Sequence, residues 1–274
     1  MRSPINILVH GVPKSGKTLF GVRRNPGVLM LDTEGSSKLV KGIDRRTVSS
    51  MRDMDGVLSE IKSGKVKLVV IDTLDELVNN FGKNEAKAKS PDFVNKLGML
   101  TMPGWGYMRD RFLSLTRAYR DAGADVLTIC HSELEEMPNG SKKWMMKLPS
   151  NYAREVMGMM DVVGFTEVVT SPDMAKTFRV HFSPSQMFDA GVRAVYDAVE
   201  DRLSSPLPEY LDNSALVDVL KAYDEFFDGD GKGFAVKCSN CAKKGKETDA
   251  TVEVDGMKLC AECESRYNEL KSQN

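Results

Sequence analysis

The segment Gly11-Val12-Pro13-Lys14-Ser15-Gly16-Lys17-Thr18 places glycine, lysine and threonine at the spacing G-x-x-x-x-G-K-[ST]. Glycines at these positions let the backbone turn tightly and bring its N–H groups against an anion. A helix starting directly afterwards adds the positive end of its dipole. The eight residues read as a cradle for the phosphates of ATP. In that reading the Lys17 ammonium reaches the β- and γ-phosphates and the Thr18 hydroxyl is a ligand of Mg²⁺. The apolar run Ile5–His10 supplies the strand that must lead into such a loop.

An ATPase also needs carboxylates. Lys67-Leu68-Val69-Val70-Ile71-Asp72 is an apolar strand ending in an acid, and Asp72 is expected to hold Mg²⁺ beside Thr18. The other reading of Asp72 is a cap on the next turn. Asp75 and Glu76 follow closely; they either orient water or are acids in the first turn of a helix, favoured by its dipole. Leu29-Met30-Leu31-Asp32-Thr33-Glu34-Gly35 is a second strand ending in acids. Glu34 is expected to polarise the attacking water, or else it belongs to an exposed turn. Ile129-Cys130-His131-Ser132 ends a third strand in polar groups. His131 either senses the γ-phosphate through a hydrogen bond or is structural, and Cys130 is a core thiol. Lys17, Glu34 and His131 form the expected catalytic set.

Four of the five cysteines form two pairs near the end of the chain, Cys238-x₂-Cys241 and Cys260-x₂-Cys263, 18 residues apart. That spacing suits a structural Zn²⁺ held by four thiolates. A redox dithiol or disulfides are the alternatives. Thr251–Leu259 reads as a hairpin turning at Asp255-Gly256, followed by a helix, which makes a zinc ribbon or treble-clef-like unit. Lys237, Lys243, Lys244 and Lys246 suit either phosphate contact or protein docking.

These groups need a scaffold. Strands are expected at Ile5–His10, Val28–Asp32, Leu68–Asp72 and Val126–His131, each apolar along its length as in a parallel sheet covered on both faces. Asp161–Val169 and Thr177–Phe182 suggest an antiparallel extension. Helices are expected at Asp53–Ser63, Trp105–Ala122 (with Met108, Phe112, Leu115 and Tyr119 on one stripe), Ala190–Leu203 and Asn213–Phe227. The last carries Leu216, Val219, Leu220, Tyr223 and Phe227 on a stripe. Lys83–Gly104 reads as a mobile loop. The Gly/Asp stretch after Phe227 reads as a linker. The organisation is thus a mainly parallel α/β domain over residues 1–227, a flexible linker over 228–236 and a four-cysteine module over 237–274.

Across 274 residues, 41% are hydrophobic and 28% charged, as in ordinary globular proteins. No run of eighteen apolar residues spans a bilayer and no export signal is evident, so a cytosolic protein without membrane partners is expected. A net charge of −1 excludes nucleic-acid binding by overall field alone, so binding must come from local basic patches. Lys142, Lys143 and Trp144, after an Asn-Gly turn, are one candidate for single-stranded DNA. Lys83–Tyr107, with Lys83, Lys87, Lys89, Lys96, Trp105 and Tyr107, is another. The alternative for both is a solvated Lys-rich loop.

The order GVPKSGKT, LMLDTEG, VVIDTLDEL and ICHSELEE resembles the RecA-like core of the P-loop superfamily. DTEG is similar to the segment that carries the catalytic glutamate in RecA-like recombinases, and VRAVYDAVEDRLSSPLPEYL looks like the phage-type ATP-binding proteins, among them phage single-strand annealing proteins. The resemblance covers residues 4–212. It implies ATP-dependent binding of single-stranded DNA, promotion of annealing or strand pairing, and ATP sites completed between neighbouring subunits. Arg193 and Arg202 lie where a trans-acting finger is expected, or on a solvated helix face. A second reading is an ATP-switched interaction or loader protein that recruits a replication or single-strand-binding protein through the zinc module. A nucleotide kinase is a third, disfavoured by DTEG and by the lack of an Arg-rich lid.

Overall fold

The computed structural model describes residues 2–25, 27–35, 38, 40–170, 174–199, 201–228, 234–235, 238–242, 250, 252–254 and 257–272. In chain order the elements begin with β1 (Asn6–Gly11), α1 (Lys17–Val22), β2 (Leu29–Asp32), β3 (Asp44–Thr47), α2 (Met51–Lys62) and β4 (Leu68–Asp72). Next come α3 (Leu74–Glu76), a π-helical turn (Leu77–Gly82), α4 (Lys83–Lys89), a 3₁₀ turn (Pro91–Phe93) and α5 (Met102–Asp121). These lead to β5 (Asp125–Glu136), β6 (Lys142–Met146), α6 (Ser150–Met159), β7 (Val162–Thr170), β8 (Lys176–His181) and β9 (Gly191–Val192). The chain continues through β10 (Val195–Asp197), β11 (Arg202–Ser205), β12 (Tyr210–Asp212), α7 (Leu216–Asp228) and β13 (Phe234–Ala235). It closes with α8 (Ser239–Ala242), β14 (Val252–Val254), β15 (Met257–Leu259) and α9 (Ala261–Ser272).

The chain divides into two compact units, 3–191 with 209–220, and 1–2 with 192–208 and 221–274. In the larger, the sheet order is β3-β2-β4-β5-β1-β7-β8-β12. Neighbours from β3 to β7 are parallel, while β8 and β12 are antiparallel additions. β1, β2 and β4 are buried at every residue, which is why their sequences are unbroken apolar runs. β5 lies between β1 and β4, so the loop-bearing strand and the Asp72 strand are not neighbours. One core cluster joins Leu8, Leu31, Val69, Ile71 and Val126 with helix residues Met54, Met108, Phe112 and Tyr119. The α5 stripe is thus the core-facing one. At α2, Ser50 and Asp53 form a capping box, a device worth about 1 kcal/mol.

Several elements differ from the sequence expectations. Residues 83–104 are an ordered helix, a 3₁₀ turn and the start of α5, in which Thr101 Oγ1 accepts from Gly104 N as the helix cap. Ala190–Leu203 is not helical: Val195, Tyr196 and Asp197 pair with Ser204, Leu203 and Arg202 in a hairpin. Its Val and Tyr residues recur at a spacing that a helix also allows, but β-branched and aromatic side chains settle in strands once a partner strand is offered. Arg193 and Arg202 therefore do not lie on a helix face. In α7, Leu216, Val219 and Tyr223 are buried as expected, but Phe226 takes the buried place and Phe227 is 50% exposed. Within the expected linker, Phe234 and Ala235 form β13 and pair with Ser205 and Ser204 of β11. The rest of its glycine-rich stretch, together with Lys237, Lys243, Lys244, Lys246 and the Asp255-Gly256 turn, lies outside the described residues.

Candidate active site

Parallel register brings the site together. Gly11 of β1 is level with Thr166 of β7 on one side and His131 of β5 on the other. Asp72 of β4 is level with Ile129 of β5 and with Asp32 of β2. Five adjacent strands therefore deliver Thr166, Gly11, His131, Asp72 and Asp32 to one edge of the sheet.

The loop from Gly11 to Thr18 wraps this edge. Gly16 takes φ 84°, a conformation that glycine adopts without strain, and a Cβ there would lie 2.7 Å from the Phe178 ring of β8. The Ser15 hydroxyl lies 2.6 Å from that of Thr166, which fastens the loop to β7. Lys17 is buried and its Nζ donates to the carbonyls of Gly11 (3.0 Å) and Val12 (2.7 Å). Burial pushes its pKa down, while Asp72 works against that shift. The ammonium thus occupies the mouth of the loop.

The Thr18 hydroxyl donates to Asp72 Oδ2 at 2.8 Å. Burial pushes Asp72 up to about 6; the Thr18 hydrogen bond opposes this, and the Glu34 and Asp32 carboxylates add to it. A hydroxyl and a buried carboxylate meeting at one point, beside two more acids, form a donor set that favours a divalent cation. Thr18 and Asp72 fit Mg²⁺, and Gly11–Thr18 with Lys17 fit its nucleotide triphosphate.

Beyond Asp72, Thr33 ties β2 to β4. Its N–H donates to Asp72 O (2.8 Å), its hydroxyl donates to Thr73 O (2.9 Å), and the same oxygen accepts from Thr73 N (2.7 Å). Asp32 is buried, and its Oδ1 accepts from Glu34 N (3.1 Å) and Gly35 N (2.6 Å). Asp32 thus shapes a turn, and the turn presents Glu34 to solvent. The Glu34 charge perturbs Lys17, Asp72 and His131 alike, so its carboxylate is within electrostatic reach of all three.

His131 is half-buried, and both its donors go to one carboxylate. Its backbone N–H reaches Asp75 Oδ1 and its Nδ1 reaches Asp75 Oδ2, each at 3.0 Å. Asp75 is fully buried; burial pushes its carboxyl up, but the hydrogen bonds from His131 prevail and hold it below the usual range. The same contact raises the His131 pKa. The ring is therefore held with Nε2 turned away from Asp75 and with its cationic form favoured. Asp75 was one of two acids left open by sequence, and its partner 56 positions away is what assigns its role. Cys130 is fully buried, which pushes its thiol far up.

Next along the edge, His10 is buried, its pKa lowered by that burial. Its Nε2 lies 2.7 Å from the Asp189 carbonyl, which only accepts, so Nε2 carries the proton and Nδ1 accepts from the Ser132 hydroxyl at 2.9 Å. Asp189 also pairs with Lys143 at 2.6 Å. Lys143 belongs to the β5–β6 hairpin, where Glu136 faces Lys142, Glu135 faces Lys143 and Leu134 faces Trp144. Trp144 is half-buried and its backbone N–H donates to Met187 O at 2.7 Å. The three candidate residues are thus brought together, but the Lys143 ammonium already has a structural partner in Asp189. Trp105 and Tyr107 are likewise occupied, Trp105 against Tyr152 and Tyr107 against Phe93 and Glu85.

In the smaller unit, the sulfurs of Cys238, Cys241, Cys260 and Cys263 lie within 4.8 Å of one another. Cys241 is 3.8 Å from Cys260 and 3.6 Å from Cys263, close to the edge of a tetrahedron with metal–sulfur bonds of about 2.3 Å. Burial pushes the Cys238 thiol up, but backbone N–H groups of Cys241, Cys260 and Asn240 outweigh it and draw it down to about 6. Asn240 Nδ2 also donates to Cys263 Sγ at 3.2 Å. This donor set fits Zn²⁺. Cys238 directly precedes α8 and Cys241 lies within it, Cys260 directly precedes α9 and Cys263 lies in its first turn, and the β14–β15 hairpin comes between the pairs.

No curated protein matches the chain. Among solved structures, the flagellar accessory protein FlaH from Methanocaldococcus jannaschii is similar with a TM-score of 0.40 and 10% sequence identity, over 65% of this chain and 78% of that one. Residues 3–194 match the family model described as an AAA domain, a span that holds the loop, Asp72, Glu34, Asp75 and His131. The chain therefore belongs to the AAA domain family, and its larger unit is a P-loop nucleotide-binding domain.

Proposed function

We propose that the protein is an ATP-hydrolysing RecA-like protein that binds single-stranded DNA and promotes annealing or recombination in phage DNA metabolism. Mg²⁺, held by Thr18 and Asp72, would neutralise charge on the phosphates. Lys17 leaves its two carbonyls for the phosphate oxygens, and Glu34 accepts a proton from the attacking water. His131, oriented by Asp75, donates from Nε2 toward the terminal phosphate. The observation that carries the reading is the continuity of β5. Its twelve residues run from the core through His131 into the β5–β6 hairpin. A hydrogen bond gained or lost at His131 is therefore applied to a surface element.

ATP turnover measured with and without single-stranded DNA tests the reading. Stimulation is expected. Turnover indifferent to DNA, with no DNA bound in the presence of ATP, would sink it. The resemblance also supports a homo-oligomer with ATP sites shared between subunits. A second reading, an ATP-switched loader that recruits a replication or single-strand-binding protein through its zinc module, is favoured by one observation. The lysines of the hairpin face glutamates, and Lys143 is already paired with Asp189. In that case the hairpin holds no DNA.

A further inference from the structure

The residues from Lys83 to Met102 form a built projection. Gly82 abuts Met108, Glu85 bonds Tyr107 and Arg111, and the Phe93 ring packs on Tyr107, so α4 lies along the first half of α5. At its end the chain reverses through a fixed turn. Val94 bridges Leu100, Asn95 N donates to Met99 O at 2.8 Å, and Asn95 Oδ1 accepts from Leu97 N and Met99 N. Gly98 takes φ 76° to close it. This turn holds Leu97 85% exposed and Met99 57% exposed. A rigid turn that displays large apolar side chains to water marks a contact surface.

Beside the turn is a hollow of about 260 Å³ lined by Lys83, Lys87, Lys96, Asn80, Asn84 and Asn95, with no carboxylate in its wall. Glu85, the nearest acid on α4, is committed to Arg111 and Tyr107, and Glu76 to Asn80. Among the described residues none of the three lysines makes an ion pair. The β5–β6 hairpin is the opposite case, with its lysines set against Glu135, Glu136 and Asp189.

We propose that this projection is the single-strand nucleic-acid site of the protein, an inference that rests on the DNA-binding reading above. Lys83, Lys87 and Lys96 neutralise successive phosphates. Asn84 offers a donor and an acceptor, Asn80 its Oδ1 and Asn95 its Nδ2 to sugars and base edges. Leu97 and Met99 pack on base faces, which a single strand exposes and a duplex hides. A lipid surface would also accept lysines with Leu and Met, but it presents no base edges, with their paired donors and acceptors, to a hollow walled with amides.

The test uses the full chain with ATP and Mg²⁺ and reads fluorescence anisotropy of a labelled oligothymidine across a salt series. Lys83→Gln/Lys87→Gln/Lys96→Gln is expected to weaken binding at least ~10-fold and to lower the salt slope by about 2, three lost single-strand phosphate contacts at roughly 0.7 each. Leu97→Ser/Met99→Ser is expected to weaken binding with the salt slope kept. ATP affinity and melting temperature should stay at wild-type values in both. Wild-type affinity in the triple variant overturns the site while leaving the DNA reading intact. No oligothymidine binding by the wild type overturns that reading and this site with it. Equal binding of a duplex overturns the single-strand assignment. Binding to phosphatidylserine vesicles that the triple variant loses, with oligothymidine binding unchanged, assigns the projection to a membrane surface instead.

Discussion

Glu34 and Asp75 illustrate two ways a carboxylate is used at this edge. Glu34 is exposed on a turn shaped by Asp32, close enough to Lys17, Asp72 and His131 to alter their charge. Replacing it with Gln keeps the shape and removes the proton acceptor. Glu34→Gln should bind ATP with unchanged affinity and hydrolyse it ~100-fold or more slowly, the usual scale of a general base. Normal turnover in that variant would remove Glu34 from the chemistry. Asp75 instead has both oxygens engaged by His131 N and Nδ1. An Asn offers one acceptor, so one buried donor must go unmet. Asp75→Asn should cost about 1–3 kcal/mol of stability and lower the His131 pKa, read by the pH titration of its ring in NMR spectra. A His131 titration left in place would show that Asp75 does not set its charge. The phosphate loop was legible in sequence because its spacing is local, and Asp72 because an unbroken apolar run ends on it. Asp75 was not, because its partner is reached only through the α3–β5 contact.

At the scale of elements, the strands that position the site were legible because burial on both faces writes an unbroken apolar run. The projection at 83–102 was misread as a loop. Its order comes from close packing of backbone rather than from periodicity. Gly104 shows this: a Cβ there would lie 2.2 Å from the Phe93 carbonyl oxygen, whereas at Gly106, two residues on and toward the opposite face of the helix, nothing lies within 4 Å. Gly104 is the third residue of α5 and Gly106 the fifth, so alanine gains up to about 1 kcal/mol of helix propensity at Gly106 and less at Gly104. At Gly104 that gain is overwhelmed by a backbone clash, and overpacking of this kind costs about 1–3 kcal/mol or more. Urea denaturation should therefore show Gly104→Ala destabilised and Gly106→Ala unchanged or stabilised. Equal midpoints would mean that the 3₁₀ turn does not pack on α5 as described. The short edge strand β3, Asp44–Thr47, gave no signal at all. Its residues are mostly exposed and charged, which suits a sheet edge that must not pair with another chain.

For the whole molecule, the sequence placed the cysteine module after a linker, as an appendage to a finished domain. The structure groups it differently. Leu203 shares a cluster with Cys238, Ala250, Leu259, Cys260 and Cys263, with Ala194 packed against it, and β13 adds to β11. The apolar content of that cluster is too small to sustain folding alone. A bound Zn²⁺ would contribute on the order of 10 kcal/mol to such a unit. Metal removal should then be felt in two places far apart in sequence. Chelation, or Cys238→Ser, should expose residues 238–272 to protease and also loosen the β10–β11 hairpin at 195–205. ATP binding by Gly11–Thr18 in the larger unit should persist. Hydrogen exchange resolves the two segments. Exchange that accelerates only after residue 237 would restore the simple appendage, and unchanged exchange in both would mean that the four thiolates fold without metal. Acceleration in both segments would show that the hairpin belongs to the metal unit, to which Leu203 and the β11–β13 pairing join it.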